Sequence, residues 1–370
     1  HRKGFFNGCP ASAQRRSMKA ENYREFIVGA LNELMSADSP TGFPEQVNRL
    51  LKDKLGGMEY AAEESNKRLV KVSVAGRKGG LRRAVSAHTD TLGAMVRGVD
   101  ADGKLRFTCL GGPVLPTFDG EYCRIYARGG KVYTGTFLCD SCSCHVFQDA
   151  GKLERTEKTM FVRLDEDVRS AQDVAALGIG TGCFIALDPK TTVTGSGFVK
   201  SRFLDDKAGS VCLLTALYRM KQEGLLPEYD TDFYFTNYEE TGHGAASISG
   251  ADELLAVDMG CVGGGLACRE TQVSVCAKDS RGPYDHEMVE RLIALAEAEG
   301  IDYAVDVYPH YGSDVGAAWS AGADLKGGLI GPGVHASHGM ERTHLKGIFA
   351  AADLLCAYLG LGKSGKGNND

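Results

Sequence analysis

The sequence has no uninterrupted apolar run near the ~20 residues that a membrane-spanning helix needs. It also lacks a surplus of basic residues, because 42 Lys and Arg face 48 Asp and Glu, for a net charge of −6. A surface that releases counterions from a phosphate backbone needs such a surplus. We therefore expect neither a membrane-spanning protein nor a nucleic-acid partner.

The first seventeen residues lack the roughly 7 to 15 residue apolar stretch of a secretory signal. They show little periodicity and precede Met18, so we predict that 1–17 is a disordered tail or an expression remnant. A second, polar tail is predicted at 363–370. The 12 cysteines are spread over a chain with 43% hydrophobic residues, which can build a core without disulfides. We therefore predict reduced thiols and a cytoplasmic protein.

The length of 370 residues exceeds what one hydrophobic core usually serves, which predicts two domains. Between residues 98 and 196, short runs such as KLRFTCL and KVYTGTFL alternate with Gly, Asp and Pro, as is typical of small all-β modules. Residues 18–97 and 197–362 instead alternate helical and strand patterns. We predict an α/β domain with a mostly parallel sheet and helices on both faces, interrupted by an inserted β-domain at 98–196.

Acidic or imidazole side chains follow the predicted strands of the α/β part. They are His88, Asp90, Asp205, Asp206, Glu239, Glu240, Asp258, His335 and His338. Ligands collect beyond the carboxyl ends of the strands in open α/β sheets, so these groups are expected at one edge. Crowded carboxylates and imidazoles need a compensating cation. The pattern predicts a metal site, and two metals sharing a carboxylate would use about five ligands, with zinc or cobalt favoured and manganese as a further choice.

Two spacings within this set suggest separate tasks. His88 and Asp90 are two residues apart and share one face of a continued strand, so Asp90 can orient a metal-bound His88 imidazole. Glu239 and Glu240 are adjacent and point to different sides. One of them can then hold a metal while the other faces the attacking water.

The strand-end motifs resemble those of the M42 family of metalloaminopeptidases, which includes the TET peptidases and glutamyl aminopeptidases. The matching stretches are SPTGFPEQV, AHTDTLGAMV, FLDDKAG, NYEETGHGA, LAVDMG, YGSDVGAA and GPGVHASHGMERTH. The resemblance implies a zinc-peptidase-like fold whose insertion is a β-barrel or PDZ-like domain. It also implies self-association, up to a dodecamer. The wording of YEETGHGA and ASHGMERTH is similar to a branch linked to the osmoprotectant N-acetylglutaminylglutamine amide.

Carried over by residue, the resemblance assigns a role to each member of the site. It implies that His88 and Asp258 bind one metal, that Glu240 and His338 bind the other, and that Asp205 bridges the two. It also implies that Glu239 is the general base acting on a metal-bridging water, and that Asp90 orients His88.

One stretch departs from the family pattern. Typical members read His-Ser-Pro-x-x-Glu at the final ligand, whereas HASHGMERTH offers His335, His338 and His344. We prefer His338 because it follows Ile330 by the spacing that the family's strand end implies, and His335 stays open as the alternative.

The function implied by the resemblance is hydrolysis of the N-terminal peptide bond of small peptides. One alternative is a deacylase or amidohydrolase acting on N-acylated or amidated dipeptides. Another is a metal-binding assembly protein without turnover. Intact Glu239 argues against that second alternative, because proton transfer needs this residue and metal binding does not.

A cysteine-rich segment, CDSCSCH, places Cys139, Cys142, Cys144 and His145 close together. This spacing could hold zinc or form a redox pair. We favour a β-hairpin with incidental thiols, because no second CxxC motif lies nearby.

Overall fold

The computed structural model describes residues 19–363 of the chain. The tail predicted at 1–17 lies outside the described residues, and so does the predicted polar tail beyond Lys363. Within 19–363, every helix is too short or too polar to cross a membrane.

Helices and strands alternate along the chain, apart from a central block of short strands. In chain order the strands are β1 (Glu63–Glu64), β2 (Val70–Val74), β3 (Lys78–His88), β4 (Gly93–Val99), β5 (Leu105–Leu110), β6 (Tyr122–Tyr126), β7 (Val132–Cys139), β8 (Met160–Leu164), β9 (Phe184–Leu187), β10 (Thr192–Val193), β11 (Phe198–Ser201), β12 (Tyr229–Thr236), β13 (Glu253–Val257), β14 (Gly260–Cys261), β15 (Val273–Lys278), β16 (Tyr303–Val307), β17 (Lys326–Val334) and β18 (Glu341–His344). The α-helices are α1 (Arg24–Ser36), α2 (Glu45–Gly57), α3 (Ala171–Ala176), α4 (Leu204–Glu223), α5 (His286–Glu299), α6 (Asp314–Ser320) and α7 (Leu345–Leu359).

A nine-stranded sheet carries the α/β part, in the order β1, β2, β12, β3, β13, β17, β15, β16, with β14 paired to β17. Its central strands β12, β3, β13 and β17 run parallel. The sheet as a whole is mixed, because β2 is antiparallel to β12 and β15 is antiparallel to β17. The predicted α/β class is thus confirmed.

The centre of this sheet is buried because its strands are apolar on both faces, as parallel strands covered by helices must be. All of β13 is buried, and so are the last six residues of β3. Helix α4 packs against β3, α1 and α7, which accounts for its nearly complete burial.

Six antiparallel strands close into a barrel in the order β4, β5, β8, β7, β6, β9. They lie between residues 93 and 187, whereas the sequence analysis places the insertion at 98–196. Gly98, where the predicted insertion begins, lies within β4 at a bulge where the register shifts after Val96. At the other end, β10 and β11 form a separate small sheet with β18.

The carboxyl ends of the central strands meet at one edge. His88 ends β3 and pairs with Thr236 at the end of β12, and Asp258 directly follows β13. The first barrel strand leaves from the same edge at Gly93, where a Cβ would approach Pro40 to 2.6 Å. The barrel is therefore attached where the predicted ligands lie.

Candidate metal centre

Asp205 lies between two imidazoles. Its Oδ1 is 3.0 Å from Nε2 of His88, and its Oδ2 is 3.3 Å from Nε2 of His338. All three residues come from different segments: the end of β3, the start of α4 and the loop before β18. Each oxygen of one carboxylate thus faces a different histidine, which is the arrangement that a bridging ligand requires.

Glu239 and Glu240 flank this pair on opposite sides. Oε2 of Glu239 is 3.7 Å from Nε2 of His88, and Oε2 of Glu240 is 3.5 Å from Nε2 of His338. The two glutamates lie in a 3₁₀ turn that follows Tyr238, whose φ of 71° is left-handed. The two side chains therefore point to different sides because of this turn, and not because of the strand alternation that was predicted.

Asp258 completes the group on the His88 side. Ligand atoms of His88, Glu239 and Asp258 lie within 4.8 Å of one another, and those of His88, Asp205 and Glu240 do the same. Two overlapping sets of donors thus share His88 at the edge of the sheet.

Asp90 contacts His88 mainly through its main chain. Nδ1 of His88 lies 2.9 Å from the Asp90 carbonyl oxygen and 3.5 Å from the Asp90 carboxylate. That carboxylate instead accepts hydrogen bonds from the backbone N–H groups of Glu239 at 3.2 Å and Glu240 at 3.3 Å. The chain turns away after β3, so the carbonyl reaches the imidazole while the side chain fixes the glutamate turn.

Two further buried carboxylates hold the backbone of the candidate ligands. Glu341 accepts hydrogen bonds from the N–H groups of Asp205 at 3.0 Å and His338 at 2.9 Å, and Asp206 accepts one from His88 at 3.2 Å. Neither residue has a role that is predicted from the sequence. In the sequence, Glu341 is visible only as an acidic residue three positions after His338, in a stretch that already contains three candidate histidines.

Burial and charge shift the pKa values of the whole group. Burial, reinforced by neighbouring carboxylates, raises the pKa of Glu239 and Glu240 well above the usual range and that of Asp258 to about 7. Burial alone would lower the pKa of His338, but the Asp205 and Glu240 carboxylates raise it to about 10. These buried carboxyl groups can all be ionised at the same time only if a compensating positive charge lies beside them.

A second observation also supports a divalent cation beside these donors. Oε1 of Glu240 is buried, and within the described part of the chain no group forms a hydrogen bond with it. An unpartnered buried polar atom costs about 1 to 3 kcal/mol, and more when it is charged. A cation beside Glu240 would supply the missing partner, and imidazole with carboxylate donors suits zinc, cobalt or manganese.

The three histidines of HASHGMERTH go to different places. His338 reaches Asp205, with a left-handed φ of 62°. The half-exposed His335 faces Glu270 at 3.9 Å instead. His344 caps α7, and its Nε2 lies 2.9 Å from the carbonyl oxygen of Ser196.

The cysteine-rich segment lies in the barrel, apart from this centre. Cys139 is buried at the end of β7, whereas Cys142 and Cys144 are exposed in the turn that follows. In residues 19–363, the His, Cys, Asp and Glu groups that are close enough to hold a metal contain no cysteine. The structure therefore assigns no metal to CDSCSCH.

A cavity of about 620 Å³ opens onto the centre, a size typical of small-ligand sites. Besides the carboxylates and His338, its walls include the basic side chains of Arg281 and His310 and the apolar side chain of Val114. Val114 belongs to the barrel, so both parts of the chain contribute to the walls.

The α/β sheet, the inserted barrel and the imidazole and carboxylate donors at the strand ends fit a metallo-aminopeptidase, a metal-dependent hydrolase. Residues 70–354 match the family model of M42 glutamyl aminopeptidases. The chain belongs to this family.

Relatives of known sequence or structure agree with this assignment. The chain is 43% identical over 331 residues to "Putative aminopeptidase YhfE" of Bacillus subtilis (strain 168), covering 89% of this chain and 96% of the relative. Its fold is similar to that of a TET aminopeptidase from Thaumarchaeota archaeon SCGC AB-539-E09, with a TM-score of 0.82, 20% identity and coverage of 91% and 96%. It is also similar to the TET1 peptidase of Pyrococcus horikoshii, with a TM-score of 0.79, 20% identity and coverage of 90% and 99%. That peptidase is described as assembling into a tetrahedron or a large octahedral shell.

Proposed function

We propose that this protein is a di-metal aminopeptidase that hydrolyses the N-terminal peptide bond of small peptides. The observation that carries the proposal is the Asp205 carboxylate, which turns one oxygen toward His88 and the other toward His338. In this proposal His88 and Asp258 hold one cation, Glu240 and His338 hold the other, and Asp205 is shared.

The chemistry divides between the cations and the protein. Two divalent cations, zinc or cobalt first and manganese as a further choice, would polarise the scissile carbonyl and acidify the attacking water. Glu239 accepts the proton of that water and returns it to the leaving amine. Asp90 holds the backbone of Glu239 in place for both transfers.

The test is a panel of short peptides offered to protein loaded with Zn²⁺ or Co²⁺. We expect release of the first amino acid from peptides with a free amino terminus and little release from their N-acetylated counterparts. Preference for the acetylated or amidated dipeptides would favour the deacylase alternative. Two bound metals without turnover of either set would favour the assembly protein.

Self-association is part of the proposal, by analogy with the Pyrococcus horikoshii relative. Several large apolar side chains of the barrel are exposed, among them Tyr122 at 63% and Val146 at 72%. Burial of such side chains against another copy is a usual reason for homo-oligomers. Light scattering of the purified protein tests this point, and a monomer at working concentration would contradict it.

Replacing His338 with Ala is expected to reduce the bound metal from two ions per chain to one. The reason is that the Glu240 side of the site would keep only carboxylate donors. The His335→Ala variant is the matched control, since His335 is half-exposed and faces Glu270. It should keep both metals and full activity. Metal analysis of dialysed protein measures both variants, and the reverse result would make His335 the ligand.

A further inference from the structure

The inserted barrel contacts both the side chain and the main chain of His338. The contacts come from the segment between β5 and β6, residues 111–118, which we call the barrel loop. The carbonyl oxygen of Gly112 lies 2.8 Å from Nδ1 of His338, and the N–H of Val114 donates to the His338 carbonyl oxygen at 3.0 Å. The loop also approaches Glu240, whose Cβ would lie 3.4 Å from a side chain at Gly111.

The contact with Gly112 determines how the imidazole can act. A carbonyl oxygen only accepts hydrogen bonds, so Nδ1 of His338 carries the proton when the ring is neutral, and Nε2 is then the nitrogen whose lone pair is free for a cation. That Nε2 is the atom facing Asp205 and Glu240. The barrel loop therefore holds His338 in the tautomer and orientation that a metal ligand needs.

Arg202 ties the barrel loop to the segment that carries His338. Its Nη1 donates to the Gly339 carbonyl oxygen at 3.4 Å and to the Thr117 hydroxyl at 3.3 Å, and its Nη2 donates to the Thr117 carbonyl oxygen. The guanidinium also lies over the Phe118 ring and 3.5 Å from Glu121. Arg202 is only 2% exposed, so these groups and not solvent surround its side chain.

The other imidazole has no such dependence on the barrel. His88 is held by the Asp90 carbonyl oxygen at Nδ1, by Asp206 at its N–H, and by Ser210, which donates to its carbonyl oxygen. All three partners lie outside the barrel strands. The two halves of the centre are thus supported by different parts of the chain.

We propose that Arg202 and the barrel loop are positioning elements for the second cation, the one assigned to Glu240 and His338. The inserted barrel then completes half of the metal centre in addition to lining the cavity. This inference rests on the proposed two-metal function. Loss of a partner that orients a metal-bound histidine typically weakens metal affinity by about 10- to 100-fold.

The test compares stepwise binding of Zn²⁺ or Co²⁺ to wild type and to Arg202→Met by calorimetric titration. Methionine removes the donors but keeps an apolar chain beside Phe118. We expect one of the two binding steps to lose about 10- to 100-fold in affinity while the other is unchanged. Arg106→Met is the control, because it removes a guanidinium from barrel strand β5 that pairs with Asp100 and Asp140 and not with the His338 segment.

A second variant keeps the test valid if Arg202→Met fails to fold. In Gly339→Val the new Cβ would lie 3.3 Å from Cγ2 of Thr117 and 3.3 Å from the Ala336 carbonyl oxygen, so it crowds the contact between the barrel loop and the His338 segment and leaves the guanidinium intact. The same selective loss is expected. Equal weakening of both steps, or two unchanged steps, would overturn the inference. A wild type that binds fewer than two cations would instead contradict the proposed function.

Discussion

Glu239→Gln is expected to lower kcat by about 100- to 10,000-fold, the usual contribution of a general base, while the protein keeps both metals. Glutamine has the shape of glutamate but cannot accept the proton of the attacking water. Glu239 lies 3.7 Å from His88 and is not among the proposed ligands, so metal binding should persist. Peptide hydrolysis and metal content are measured on the same sample.

Glu270→Gln is the matched control for this variant. It makes the same chemical change at a carboxylate that faces His335 and Arg342 instead of the metal centre. Its kcat should equal that of wild type. Unchanged activity of Glu239→Gln would refute the general-base role, and loss of one metal would show that Glu239 is a ligand.

Asp205→Asn is expected to remove both metals and all measurable activity. An amide offers one oxygen and one NH₂ group, so it cannot present an acceptor to both cations as the carboxylate does. The loss in affinity should exceed the roughly 10- to 100-fold typical of outer partners, because a direct and shared ligand is changed. Calorimetric titration and metal analysis of the dialysed variant measure the effect.

Asp53→Asn is the control. It makes the same chemical change at an exposed residue of α2, a helix that contributes no residue to the proposed metal centre. It should bind two cations like wild type. Circular dichroism shows whether Asp205→Asn is folded, since Glu341 also holds the Asp205 backbone. If one cation still bound with wild-type affinity, Asp205 would serve a single metal, and the shared bridge would be wrong.

Several features of the site follow from short stretches of sequence. His88 and Asp258 come at the ends of apolar strands, and parallel strands present their carboxyl ends at one edge, so their meeting is determined locally. The inserted β-domain is also visible from its short alternating runs, because they differ in period from the helical segments on either side. Its limits are not visible in the same way, because the change of sequence pattern begins at Gly98, which lies inside β4.

Other features depend on contacts between distant segments. Three histidines lie within ten residues of HASHGMERTH, and only the turn of that loop against Gly112 and Val114 decides that His338 reaches Asp205. The use of the Asp90 carbonyl and the role of Glu341 depend likewise on how the chain turns after a strand.

The sequence by itself therefore determined the α/β class, the inserted β-domain and the chemical types of the side chains that meet at the candidate metal centre. These properties depend on hydrophobic period and on residues next to strand ends. The tertiary structure alone decided which histidine faces the Asp205 carboxylate, which buried acids hold the backbone, and that the barrel loop contacts His338. Those choices depend on loops whose course is set by packing between segments more than a hundred residues apart, such as Gly112 and His338.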